Sequence, residues 1–386
     1  MIFSASLKKP LFHSKISFYE KTIKEVFSRA DIRINGSRPW DMQVHDPSVY
    51  HILLKNGSLG LGESYMDSLW DCEQLDELLF RALRADLENE APKSLKLAVY
   101  LLRSKLFNLQ TEKRAWEVGR KHYDAGNDLY EAMLDKRMMY SCAYWEKAGT
   151  LDEAQEQKLD LICRKLKLQP GLSVLDIGCG WGGFAAYAAE KYQVEVTGIT
   201  ISKEQAKLAR ERCQNLPVEI RVQDYRELDE QFDRVVSIGM FEHVGYKNYD
   251  TYMQVVKRAL KEKGLFLLHC IGGNSSVTAT DPWINKYIFP NGMMPSIAQI
   301  GRSAEQKFIL EDWQNFGVFY DRTLMEWLKR FKNAWNALKD RYDDRFYRMW
   351  TYYLCASAAS FRAKKTSLWQ LVFSQPSNLD YYQSIR

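Results

Sequence analysis

From about residue 152 onward, short apolar runs alternate with amphipathic stretches of helical period. That alternation predicts a mostly parallel sheet flanked by helices. Strands are expected near 173–177, 195–200, 218–223, 234–238 and 264–270, with helices over about 152–166, 183–191, 203–213 and 248–262. A strand-like run from Trp313 to Tyr320 follows, then helices over about 323–338 and 343–362 and a last strand, Leu368 to Ser374. The first 110 residues differ: short helical segments, a glycine-rich passage from Asn56 to Asp67, and no strand–helix alternation. Residues 111–150 are polar at first and then aromatic. The pattern therefore divides the chain into a small, mainly helical N-terminal domain (1–110) and an α/β domain (111–386) with a linker, a long loop and C-terminal helices.

The run Val174 to Gly183 sharpens this picture. A buried strand ends at Ile177, a turn carries Gly178, Gly180 and Gly183, and the next helix opens there. Strand, glycine turn and helix form the generic nucleotide cradle. A dinucleotide site also needs an acidic residue at the tip of the next strand to hold a ribose. That strand ends Thr200-Ile201-Ser202, without a carboxylate. Asp176 and the turn behind it resemble instead the S-adenosylmethionine turn of Rossmann-like methyltransferases. The loop from Gly272 to Pro295 is too long for a plain connector and is dense in aromatic residues. It reads as a lid over the carboxyl edge of the sheet, or as a loop that packs on the sheet.

Composition limits the classes open to the chain. Of its 386 residues 46% are hydrophobic and 13% aromatic, enough for a packed core and, in one reading, an apolar tunnel. The net charge of +5 permits attraction to an anionic membrane surface without calling for nucleic acid. Seven cysteines are scattered without CxxC or other metal-ligand spacing, so no metal site is expected. The first residues lack the apolar core of an export signal, and no stretch approaches the ~18 apolar residues of a membrane span. The expectation is a cytoplasmic, reduced protein.

Candidate chemistry gathers at the carboxyl edge of the predicted sheet. Thr200, Ser202 and Gln205 stand at a strand-to-helix junction where their hydroxyl and amide groups can meet a sugar. Ser202 equally fits a helix N-cap. Asp224 and Tyr225 follow the third strand, where an adenine would lie, or simply end it. Glu242 beside His243 suits acid–base work, or serves as a charge at a helix start. His269 and Tyr320 converge from later strands. Cys142 lies in the aromatic segment 139–145, which reads as a lid; a lone cysteine is also ordinary buried filler.

Taken in order, His122–Asp128, Tyr140–Tyr144, Leu175–Gly183, Gly198–Gln205, Glu242–Gly245 and the Asp281–Gly292 loop resemble the bacterial cyclopropane-fatty-acyl-phospholipid synthases and the wider family that includes mycolic acid cyclopropane synthases. The Gly57–Cys72 passage resembles the N-terminal domain of the phospholipid enzymes. The resemblance implies a Rossmann-like class I S-adenosylmethionine-dependent methyltransferase. It would convert cis double bonds of membrane phospholipid acyl chains to cyclopropanes, through a carbocation deprotonated by bound bicarbonate. By similarity, Cys142, Glu242, His269, Ile271 and Tyr320 form the bicarbonate cage. Tyr140, Ser141, Asp176, Gly178, Gly180, Gly183, Thr200, Ile201, Ser202, Gln205, Asp224 and Tyr225 hold the methyl donor, and Tyr144, Trp145, Tyr287 and Phe289 face the lipid. Direct proton abstraction by Glu242 stays open.

Family members commonly carry a cysteine where Ser357 stands; neither Ser357 nor Cys355 is given a catalytic role. The resemblance also favours a homodimer with transient contact at the inner face of the cytoplasmic membrane. The helical stretch Lys93–Phe107, with its basic residues, either lies on an anionic bilayer or packs on the catalytic domain. Rival readings are a methyltransferase giving a branched or methylene product, and a lipid-binding protein with a vestigial donor site.

Overall fold

The computed structural model describes residues 9–87 and 126–386, with side chains from residue 18 on. The stretch 93–107, the linker from 111 and the His122 end of its motif lie outside the described residues. The N-terminal part holds α1 (Lys9–Ser28), β1 (Gln43–Val44), α2 (Ser48–Met66), β2 (Trp70–Asp71) and α3 (Leu75–Arg84). After it come α4 (Asn127–Met133) and α5 (Leu151–Lys165). The α/β part continues with β3 (Ser173–Ile177), α6 (Gly183–Tyr192), β4 (Glu195–Thr200), α7 (Lys203–Arg212), β5 (Val218–Val222) and β6 (Phe232–Ile238). It ends with α8 (Tyr249–Ala259), β7 (Leu260–Gly273), α9 (Pro282–Tyr287), α10 (Ile297–Ala304), β8 (Ile309–Asn315), α11 (Val318–Leu338), α12 (Asp344–Arg362) and β9 (Thr366–Ser374).

The main sheet runs β5-β4-β3-β6-β7-β9-β8. Strands β3 to β7 are parallel to their neighbours, β9 is antiparallel to β7, and β8 is antiparallel to β9. Strand order reverses at β3, so the crevice beyond its carboxyl end is the topological switch point where such sheets bind ligands. The glycine turn sits there because β3 is a buried apolar run and α6 starts immediately behind it. Local signals set the helices. Thr150 and Glu153 close a capping box on α5, with Asp152 and Glu153 in its first turn and Arg164 and Lys165 in its last.

Two expectations are corrected. The run Trp313 to Tyr320 is not one strand. β8 stops at Asn315 and α11 begins at Val318. Gly317 crosses so close to β9 that a Cβ there would lie 2.8 Å from the backbone nitrogen of Leu368, so the chain turns away. Tyr320 therefore stands buried in the first turn of a helix, while Val318 of the same turn is exposed. The helix expected over 248–262 ends at Ala259, and β7 takes the residues after it.

The glycine-rich passage is helical. α2 is broken at Gly57 (φ 54°), and Gly62 lets it approach the long loop: a Cβ there would sit 2.4 Å from the Trp283 indole. The N-terminal helices share one hydrophobic cluster with α9, α11 and α12, in which Leu53, Leu78 and Trp70 join Trp283, Trp327 and Tyr352. Polar ties cross the same boundary. Arg362 on α12 bonds Asp76 (2.9 Å) and Asp321 (2.9 Å), and Arg348 donates to Trp70 O (2.9 Å). Among the described residues, no helix is long and apolar enough to cross a membrane.

Candidate active site

A cavity of about 1640 Å³ opens at the carboxyl edge of the sheet and continues under the long loop to the N-terminal helices. Its polar end is the glycine turn. Gly178 (φ 84°) and Gly180 (φ 55°) are in the left-handed region that disfavours side chains. Asp176, Gly178, Gly180, Gly183, Thr200, Ile201, Gln205, Asp224 and Tyr225 all line the cavity, as do Tyr140 and Ser141. Thr200 Oγ1 donates to Gln205 Oε1 (3.0 Å), which fixes the amide at the tip of β4. Asp224 accepts from the Arg226 backbone and guanidinium, both at 2.9 Å. Asp176 is buried and its Oδ2 has no partner among the described residues; desolvation pushes its carboxyl up to about 7. Desolvation likewise pushes the buried Lys158 beneath it down to about 8, which leaves the amine protonated at neutral pH.

Glu242 belongs to a short 3-10 turn after β6. Its Oε1 accepts from the Ile271 backbone N–H at 2.6 Å, while its Oε2 is shielded from solvent without a partner among the described residues. Desolvation pushes this carboxyl up to about 7. The loop is tied to the same turn, because Met293 N donates to Glu242 O (2.8 Å). Tyr320 lines the cavity, stacks on Phe361 with centroids 4.5 Å apart, and lies close enough to Glu242 and Cys142 to respond to charge on either. His269 is fully buried and does not line the cavity that the sequence expectation placed it in. Burial holds it well below its ordinary pKa, so it is neutral. Gln370 Nε2 approaches its Nδ1 at 3.3 Å. An amide nitrogen only donates, so Nδ1 accepts and the ring proton is on Nε2, which is buried with no partner among the described residues. His243, beside Glu242, is pushed down to about 4 by burial and meets Phe289 edge-on.

Several residues singled out from sequence do not line the cavity. Cys142 is buried and its thiol, raised by desolvation, contacts Ala143 O. Tyr144 and Trp145 are not a lid. Tyr144 packs edge-on against Phe316 and Phe319, and Trp145 donates to Thr323 Oγ1 (2.9 Å) under the Arg322 guanidinium. Both fill core because the segment runs beneath α11 rather than over the crevice. Tyr287 turns away as well: its hydroxyl donates to Glu63 Oε1 (2.9 Å) on α2, pinning the loop instead of facing the cavity. Ser202 is the N-cap of α7, accepting from Gln205 N. Phe289 and Ile271 do line the cavity.

Other lining residues had escaped notice. Ile23, Val26, Leu53 and Leu79 from α1 to α3 build the apolar end, and Tyr353 and Ser360 form a face of α12 together with Ser357, which had been given no role. Tyr353 and Tyr140 join their hydroxyls at 2.8 Å. The N-terminal residues carry only the apolar helical period that any core helix shows. Tyr353 and Ser357 had a signal, their i, i+4 spacing on the aromatic helix.

Comparison with known proteins places these residues in a family context. The sequence profile described as "Mycolic acid cyclopropane synthetase" matches residues 110–371. The chain is 57% identical over 351 residues to the cyclopropane-fatty-acyl-phospholipid synthase of Escherichia coli strain K12, covering 91% of this chain and 92% of that one. Among solved structures, the cyclopropane synthase MmaA2 from Mycobacterium tuberculosis aligns with TM-score 0.65 at 30% identity, over 70% of this chain and 100% of its own. The mycolic acid cyclopropane synthase CmaA1, complexed with SAH and CTAB, aligns with TM-score 0.63 at 33% identity, over 67% of this chain and 98% of its own.

Proposed function

The chain belongs to the mycolic acid cyclopropane synthetase family, and from that premise we propose that it transfers a methylene group from S-adenosylmethionine to the cis double bond of unsaturated phospholipid acyl chains, forming cyclopropane rings. The carrying observation is the continuity of the cavity, which joins the glycine turn, Glu242 and an apolar wall supplied by the N-terminal helices. A mid-chain double bond can then meet a methyl donor while the rest of the acyl chain stays out of water.

S-adenosylmethionine, when bound, supplies the electrophilic methyl. The glycine turn would let backbone approach it closely, Gln205 and Asp224 would offer polar partners to its nucleoside, and Ser141 and Asp176 would serve its amino-acid end. An alkene needs no deprotonation before attack. The task of the site is to stabilise a carbocation and keep water away from it. The faces of Tyr140, Tyr320, Phe289 and Tyr353 suit that task, because aromatic rings attract cations without acting as strong nucleophiles.

The orphaned groups also fit bicarbonate. Among the described residues Glu242 Oε2 is a buried acceptor without a donor and His269 Nε2 a buried donor without an acceptor. A group with both a hydroxyl and anionic oxygens has the chemistry to pair with either. When bound it would supply the base for ring closure, held by Glu242, His269 and Tyr320. Ile271 acts through Glu242, whose orientation its N–H fixes, and Cys142 backs the cage as a protonated thiol. On the same reading the enzyme works as a homodimer, cytoplasmic and transiently at the inner membrane face, where its net charge of +5 favours anionic lipid.

The test is gas chromatography–mass spectrometry of acyl chains after incubation with S-adenosylmethionine, bicarbonate and vesicles of cis-monounsaturated phospholipid. A ring-containing product heavier by one CH₂ is expected. A branched or methylene product overturns the deprotonation step, and no product overturns the lipid assignment. The cavity itself makes a second prediction. Val26→Trp fills the apolar end, and we expect kcat/KM for phospholipid to fall ~tenfold or more, with S-adenosylhomocysteine affinity unchanged. Full activity in this variant removes the N-terminal helices from the acyl site.

A further inference from the structure

Among the polar side chains that the helix α5 buries are Gln155 and Lys158; a third, Lys165, lies at its last turn. Gln155 and Lys158 are both fully buried, among Leu151, Ala154, Leu161 and Ile162. Each grips the segment Met139–Ser141. Gln155 Nε2 donates to the carbonyls of Met139 (3.2 Å) and Ser141 (2.9 Å), and Lys158 Nζ donates to Ser141 Oγ (2.9 Å). The segment is held from a third side by Asp135, whose carboxylate accepts from Met139 N (2.8 Å). It presses on the glycine turn, since a Cβ on Gly183 would lie 2.6 Å from Met139 Sδ. Ser141 is itself buried, lines the cavity, and faces Gly239 at the end of β6.

An ammonium group has donors and no acceptor. Ser141 Oγ must therefore accept from Lys158, and its own hydrogen is left to point elsewhere. The carbonyl of Ser141 is already taken by Gln155, so the cavity is the open direction. We propose that Lys158 is a positioning residue that fixes Ser141 as a hydrogen-bond donor toward a carboxylate in the donor pocket, the amino-acid tail of the methyl donor. This rests on the S-adenosylmethionine reading above. The positive charge behind Ser141 favours an anionic acceptor there and disfavours the sulfonium, so it also orients the donor with its carboxylate inward and its methyl toward the acyl end. The residue acts through Ser141 and touches no reacting atom.

Two probes separate this from a purely structural role. S-adenosylhomocysteine carries the carboxylate; 5′-methylthioadenosine shares the nucleoside thioether and lacks it. Titration calorimetry on the full chain is expected to show Lys158→Met weakening S-adenosylhomocysteine ~tenfold or more, the range of one hydrogen bond to a charged group. Methylthioadenosine affinity is expected to stay within ~twofold. Ser141→Ala is expected to give the same loss, and the double variant no further loss. In turnover the loss is expected in KM for the donor, with kcat nearly kept. Equal weakening of both probes, or additive losses, overturns the proposal. Should Lys158→Met fail to fold, Ser141→Ala decides alone: an unchanged ratio of the two affinities overturns it. Wild-type protein that binds neither probe refutes the donor reading instead.

Discussion

Glu242→Gln is expected to abolish ring formation while making the protein more stable at alkaline pH. Turnover should drop at least ~100-fold, the scale of a lost acid–base or orienting group. Affinity for S-adenosylhomocysteine should hold, because on the proposed reading Glu242 serves the deprotonation step and the nucleoside is held by Gln205 and Asp224. The stability gain follows from linkage. The folded carboxyl titrates at about 7 against an ordinary value of 4.5 because burial disfavours its charged form. The folded state therefore binds the proton more tightly than the unfolded state. Its penalty is absent below the unfolded pKa, grows as pH rises between the two values, and is complete above about 7. Glutamine cannot ionise, and its carbonyl can keep the Ile271 bond. The variant should be more stable than the native chain by on the order of 3 kcal/mol at pH 8. That difference should shrink to near zero below pH 4.5. Thermal melts across pH with parallel product assays check both halves. Unchanged turnover removes Glu242 from the mechanism; a stability difference independent of pH means that its carboxylate is not held in the shielded state.

The polar end of the cavity could be read from the chain because its residues sit at the ends of strands, and strand ends are where a period-two pattern stops. Glu242 and the glycine turn fall in that class and line the cavity; His269 also sits near a strand end but is buried outside the lining. Tyr320 reached the cavity by a different route from the one expected, from the first turn of α11, since apolar residues continue past Asn315 with no change in hydropathy. Aromatic density gave a weaker signal. Phe289 faces the cavity while Tyr144, Trp145 and Tyr287 do not, and nothing local distinguishes a ring in a wall from a ring in a core. The acyl end was silent for the same reason: Ile23, Val26 and Leu53 look like any buried helix face. Lys158 left a legible trace, a lysine at a core position of an amphipathic helix, whose meaning needs the partner Ser141 seventeen residues earlier.

The glycines of the turn should part company on mutation, because each is required for a different reason. Gly180 has a left-handed backbone (φ 55°), yet a Cβ there would meet nothing within 4 Å among the described residues. Gly180→Val should fold, with a cost of about 1–2 kcal/mol for a side chain in that region. The new side chain would stand in the space the donor needs, and S-adenosylhomocysteine affinity should fall ~100-fold or more. Gly183 has no positive φ, but its Cβ would lie 2.4 Å from the backbone carbonyl of Arg137 and 2.6 Å from Met139 Sδ. A backbone oxygen cannot rotate away as a side chain can. Gly183→Val should therefore push the clamped segment 137–141 off the turn and lose the folded state, seen as a large drop in melting temperature or in soluble yield. Calorimetry and thermal melts on both variants separate the two effects. A Gly180→Val protein that binds S-adenosylhomocysteine normally would show that the donor does not approach this backbone, which breaks the link between the glycine turn and the chemistry argued from it.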